Sequence, residues 1–206
     1  MYTHSKEFRD QLTPDLALGL LKEGNSRFMH NLTMNRNLLQ QVNATADGQF
    51  PFATILSCMD SRTSAELIFD QGLGDIFSIR IAGNIVNDDI LGSMEYATKV
   101  VGTKLILVLG HSNCGAIAAA CNAVALGHLT GLLNKIKPVI DSETSIKEQR
   151  NGNNGEFVKS ITKLNVTHAI GDIKTQSEII SDLVTAGKLA IAGGVYQVET
   201  GEVLFF

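Results

Sequence analysis

Five short, mostly apolar runs punctuate the chain: 52–56 (Phe52-Ala53-Thr54-Ile55-Leu56), 76–81, 104–109 (Lys104-Leu105-Ile106-Leu107-Val108-Leu109), 189–195 and 202–206. Runs of this length and apolar content fit strands buried within a sheet. Between them lie longer stretches whose apolar residues fit a helix: roughly 63–70, 88–100, 113–126, 129–141 and 155–183. Ahead of the first strand, Thr13-Pro14 has the form of an N-cap followed by proline at the first helical position. Leu16, Leu20, Leu21 and Phe28 then recur at helical spacing, which predicts an amphipathic helix near 14–30. Residues 31–50 are polar and rich in Asn and Gln, a connection without a clear period.

Strands alternating with helices imply parallel pairing through crossovers. The last two strands flank the turn Glu199-Thr200-Gly201 and read as a hairpin. The expected fold is α/β: a mostly parallel central β-sheet with an antiparallel edge strand, flanked by helices, with an N-terminal helical arm. One domain covers 1–206, with the arm at 1–50 and the α/β core at 51–206.

Composition narrows the functional classes. Of the 206 residues 44% are apolar, enough for a sizeable core, and the net charge is −4. Lys and Arg are scattered, so neither nucleic acid nor an anionic membrane finds a basic stripe. Three cysteines in this length do not make a disulfide scaffold. No run reaches the roughly 18 apolar residues of a membrane span, and the N-terminus lacks the apolar stretch of a signal peptide. A cytoplasmic protein without membrane or nucleic-acid partners is expected.

Two clusters carry chemistry, each directly after a predicted strand. In Ser57-Cys58-Met59-Asp60-Ser61-Arg62, alternate side chains of an extended segment share a side, so Cys58, Asp60 and Arg62 can face one space. Burying such charges costs several kcal/mol each unless they pair or bind metal. In Gly110-His111-Ser112-Asn113-Cys114-Gly115, Cys114 opens an apolar helix, where the macrodipole is expected to lower its pKa. Both clusters sit at carboxyl ends of strands, where open α/β sheets place ligands. Cys58, His111 and Cys114 form the donor set of a tetrahedral zinc site with one open position, and soft thiolates favour zinc over magnesium or calcium. Plainer readings stand beside this one: a buried apolar cysteine, a Cys58–Cys114 disulfide, or an ordinary Asp60–Arg62 ion pair.

Cys58-Met59-Asp60-Ser61-Arg62 followed by His111-Ser112-Asn113-Cys114-Gly115 resembles the β-class carbonic anhydrase family. The resemblance spans about 14–206 and includes residues 66–75, Arg80-Ile81-Ala82-Gly83-Asn84, residues 92–97, Asn165-Val166, Ser177 and Gly194-Val195-Tyr196. It implies one zinc per subunit held by Cys58, His111 and Cys114, with Asp60 and Arg62 as the catalytic dyad. The reaction implied is reversible hydration of carbon dioxide to bicarbonate and a proton by zinc-bound hydroxide, zinc lowering the pKa of water toward about 7. It further implies that Gln49 helps hold substrate, and that Phe77, with Tyr96 from a neighbouring subunit, lines a small apolar pocket. A homodimer, or a tetramer built from dimers, follows.

Two departures stand out. Thr63-Ser64 replaces a common valine-proline pair, a change expected to matter little. Ile55 occupies the place of a tryptophan that, with an arginine and a tyrosine (here Arg80 and Tyr196), builds a bicarbonate-regulated site in one subgroup; the open-site type is therefore expected. Rival readings are hydrolysis of carbon disulfide or carbonyl sulfide on the same scaffold, and a zinc-binding regulatory module without catalysis.

Overall fold

The computed structural model describes residues 3–206. Its strands are β1 (Ala53–Ser57), β2 (Ile76–Arg80), β3 (Leu105–His111), β4 (Ala190–Tyr196) and β5 (Val203–Phe205). They form one sheet in the order β2-β1-β3-β4-β5. The first four run parallel, and β5 returns antiparallel to β4 with Tyr196 opposite Val203. The α/β architecture read from the sequence, with its antiparallel edge, is the one observed.

Alternation along the central strands feeds two apolar layers. Ala53, Ile55, Leu105, Leu107 and Leu109 belong to one, with residues of helices α2 (Pro14–Met29) and α4 (Ala65–Ile68). Leu56, Ile106 and Val108 belong to the other, against α5 (Asp88–Glu95), α9 (Gly155–Gln176) and α10 (Glu178–Thr185). β1 and β3 are buried at every position. Fully burying each such aliphatic side chain stabilises the fold by about 1.5–3 kcal/mol. A third cluster, around Ile85, Ile117, Ile136 and Phe157, lies beyond the carboxyl ends of these strands and contains Cys58 and Cys114. Helices α6 (Gly115–Cys121), α7 (Gly127–Leu133) and α8 (Lys137–Ser142) belong to this end of the molecule.

Strand order decides where a ligand can sit. The chain leaving β1 goes to β2 on one side, and the chain leaving β3 goes to β4 on the other. A crevice opens between the carboxyl ends of two strands whose connections diverge, here β1 and β3. Cys58 directly follows β1, and His111 ends β3.

Several helices differ from the sequence expectation. Residues 31–50 contain α3 (Leu38–Ala44), capped by the Asn37 side chain, which accepts from the Gln40 N–H at 3.0 Å. Its buried residue is Gln41, whose amide oxygen accepts from the Leu73 N–H, so no apolar period announces it. A short helix α1 (Lys6–Gln11) precedes α2. The stretch 129–141 divides into α7 and α8 because Pro138 starts a new helix. The stretch 155–183 divides at Ser177, which caps α10 and donates to Glu95 at 2.6 Å. Residues 88–100 pass from α5 into a π-helical turn, Tyr96–Val101, ended by Gly102 at φ +96°. Asp70 ties the N-terminal segment to the core, accepting from Arg27 Nε at 2.5 Å and also from Arg36. Among the described residues no helix is long and apolar enough to cross a membrane.

Candidate metal centre

The turn after β1 is held by backbone carbonyls that receive side-chain donors. Arg80, at the end of neighbouring β2, donates from Nε to the Cys58 carbonyl (3.2 Å) and from its terminal nitrogen to the Asp60 carbonyl (2.6 Å). Buried Thr63 donates its hydroxyl to the same region, to the Cys58 (3.0 Å) and Asp60 (2.9 Å) carbonyls. Thr63, the first residue of the pair that replaces valine-proline, is thus part of what shapes the loop.

That loop sets Asp60 against Arg62 in a two-pronged pair. Arg62 Nε and its backbone N–H donate to Oδ1 at 2.9 and 3.0 Å, and a terminal guanidinium nitrogen donates to Oδ2 at 2.8 Å. These bonds hold the Asp60 carboxyl far below the ordinary carboxylate range. The free side of Oδ2 lies 3.9 Å from His111 Nε2.

Three donors converge beside this pair. Cys58 Sγ and Cys114 Sγ are 4.0 Å apart, and with His111 the three potential ligand atoms lie within 4.8 Å of one another, all buried. His111 Nδ1 contacts the Ser112 carbonyl at 2.8 Å. As that oxygen can only accept, Nδ1 carries a proton, and in the neutral ring Nε2 presents a lone pair. Nε2 is buried with no hydrogen-bond partner among the described residues. A buried acceptor left alone costs about 1–3 kcal/mol, and a cation at this point would satisfy it.

The thiols point the same way. Gly83 donates its backbone N–H to Cys58 Sγ at 3.4 Å, from a left-handed conformation (φ +67°) that suits glycine. The Gly83 carbonyl is held by Asn165 Nδ2 at 2.9 Å. Beside Cys114, and with His111 and the Gly83 N–H, the Cys58 thiol is pushed down to about 4. Cys114 is instead pushed well above the ordinary thiol range, first by Cys58 and then by burial. This corrects the sequence expectation for Cys114. It does cap α6, and helix N–H groups lower its pKa, but the neighbouring sulfur outweighs them. Two thiolates at this separation become compatible once a dication stands between them. The donor set therefore fits a zinc ion, which β-class carbonic anhydrases use.

The other candidates lie elsewhere in a single chain. Phe77 and Tyr96 share an open depression of about 580 Å³ beside edge strand β2, lined also by Ser78, Asp88 and Gly92. Tyr96 is 57% exposed there. Gln49 is exposed on the segment leading into β1, near Gly74. Sequence reading gave no structural role to Ser112, and it set Gly83 and Asn165 only within matching segments. A backbone N–H or carbonyl acting on a ligand leaves no mark in residue type.

Comparison with known proteins adds independent weight. The carbonic anhydrase family profile matches residues 53–203. Carbonic anhydrase 2 of Mycobacterium tuberculosis is 38% identical over 191 residues, covering 91% of this chain and 90% of that protein. The carbonic anhydrase of Mycolicibacterium smegmatis is 33% identical over 196 residues, covering 92% of each. Among solved structures, the Coccomyxa β-carbonic anhydrase bound to acetazolamide superposes with a TM-score of 0.73 at 26% identity, covering 80% of this chain and 75% of that one. One of two tetrameric β-carbonic anhydrases of Sordaria macrospora gives 0.71 at 25% identity, covering 93% and 95%. The family profile, the relatives at 38% and 33% identity and the shared fold agree: the chain belongs to the β-class carbonic anhydrase family.

Proposed function

We propose that this chain is a carbonate dehydratase in which Cys58, His111 and Cys114 hold zinc while Asp60 and Arg62 form the catalytic pair. The observation that carries the reading is the buried, unpartnered His111 Nε2 facing two sulfurs 4.0 Å apart. Zinc bound there supplies Lewis acidity, which makes water nucleophilic near neutral pH.

Asp60 orients that water. Its carboxylate is purely an acceptor, so Oδ2 takes a hydrogen bond from the nucleophile and turns an oxygen lone pair toward carbon dioxide. Arg62 grips both Asp60 oxygens, which keeps the carboxylate ionised and would keep it from becoming a metal ligand itself. We assign the wall of the substrate space to Phe77 and to Tyr96 of a second copy, with the Gln49 amide as a further donor to substrate. Support for a dimer, or a tetramer of two dimers, comes from apolar side chains left exposed on one copy: Tyr96, Val100 at 70%, and Leu39 at 71% on α3. Sedimentation is expected to give a dimer or larger species, and a fully active monomer would remove the shared pocket.

Stopped-flow hydration of carbon dioxide with a pH indicator tests the activity. Rapid acidification, with little turnover of carbonyl sulfide or carbon disulfide, is expected; the reverse preference would reassign the substrate. Arg62→Ala is expected to keep close to one zinc per chain while kcat falls about tenfold to a hundredfold. Unchanged turnover at full zinc would refute the clamp.

A further inference from the structure

Only two residues separate His111 from Cys114, so the conformation of Ser112 and Asn113 sets how both donors approach one ion. Both are gripped by a single carboxylate from elsewhere in the chain. Glu199, in the turn between β4 and β5, accepts from Ser112 Oγ at 2.8 Å through one oxygen and from Asn113 Nδ2 at 2.6 Å through the other. We propose that Glu199 is a positioning residue for the metal centre, locking the segment between two zinc ligands. This rests on the zinc reading above and extends it to a residue that touches neither metal nor substrate.

The connection runs through specific atoms. Ser112 is fixed at three points: its N–H donates to the Tyr196 carbonyl (2.8 Å), and its Oγ donates to Glu199 while accepting from the Val198 N–H (2.9 Å). The same residue offers the carbonyl that receives His111 Nδ1–H, so holding Ser112 holds the ring and aims Nε2. Asn113 stands at φ +54°, a left-handed conformation that costs energy for a residue with a Cβ, and the Glu199 bond to its amide secures it. Its carbonyl lies 3.5 Å from the Arg62 guanidinium. One carboxylate thereby bears on His111, on the approach to Cys114 and on the residue that clamps Asp60.

The hairpin does not need this side chain to form. Gln197 N–H donates to the Glu202 carbonyl at 2.7 Å, and Gly201 N–H donates to the Gln197 carbonyl at 2.8 Å, closing the turn through backbone alone. Glu199 is itself exposed, with no core to support. Its two side-chain bonds both lead to the segment between the ligands.

The test compares Glu199→Ala, Glu199→Gln and Ser112→Ala with the parent protein, all loaded with zinc or with cobalt. Glu199→Ala is expected to keep the parent Tm within about 2 °C, as a surface change away from packing does. It should lose zinc to a chelator about tenfold faster, with shifted cobalt absorption bands and a lowered kcat at little-changed KM. Glu199→Gln should restore part of the difference, because its oxygen can still accept from Asn113 Nδ2 while its NH2 donates to Ser112 Oγ, a hydroxyl that accepts as well as donates. Ser112→Ala with Glu199→Ala should be non-additive in the zinc-release rate, since both cut one link. Parent-like zinc release and cobalt spectrum in Glu199→Ala, no rescue by Gln, or simple additivity would each overturn the proposal. A parent protein that holds no zinc would instead bring down the metal centre itself, and this inference with it.

Discussion

Asp60→Asn is expected to retain one zinc per chain and to lose about a hundredfold or more in kcat/KM. Both carboxylate oxygens accept from Arg62, and Oδ2 has a further face toward the donor cluster, 3.9 Å from His111 Nε2. Asparagine has nearly the same shape but one oxygen and one NH2 group. Pointing the oxygen at Arg62 turns a donor toward the nucleophile, where an acceptor is needed. Pointing it at the nucleophile sets NH2 against a guanidinium that can only donate. Either orientation removes the orienting bond, and positioned acid–base groups contribute about 10²–10⁴ in rate. Metal analysis alongside stopped-flow hydration checks both halves. Should the variant lose its metal, Asp60 would be a ligand before it is an orienting group.

The second large effect concerns the sulfurs. Cys58→Ser is expected to leave the protein folded but almost free of zinc, with hydration at the uncatalysed rate. Serine nearly matches cysteine in size, yet its hydroxyl does not ionise near neutral pH and is a hard donor where zinc prefers a soft one. The Gly83 N–H would remain aimed at that point with no thiolate to receive it. Zinc content and far-ultraviolet circular dichroism check this. A serine variant that keeps stoichiometric zinc would show that Cys58 is a neighbour of the metal rather than a ligand.

Much of this was legible before any coordinates. Buried strands show as near-continuous apolar runs, and β1 and β3 were visible to within one or two residues because both faces are covered. The carboxyl ends of strands then mark where ligands sit, which drew Cys58, Asp60, Arg62, His111 and Cys114 into one hypothesis. The structure brings these five together, and Phe77 with Tyr96 in a different place. Helix boundaries were less legible, because they depend on single caps such as Asn37, Ser177 and Pro138 rather than on periodicity. Helix α3 escaped notice since its inward residue is an amide and its apolar side chains face outward. The coupling of the two thiols was not legible either. It depends on a sulfur 56 positions away in sequence and 4.0 Å away in space.

X-ray absorption at the zinc edge, on protein purified under reducing conditions, tests the metal centre most directly. One zinc per chain is expected, with two sulfurs at about 2.3 Å, one imidazole nitrogen at about 2.0–2.1 Å and one further light atom. A shell without sulfur, or reduced protein that takes up no zinc, would contradict it.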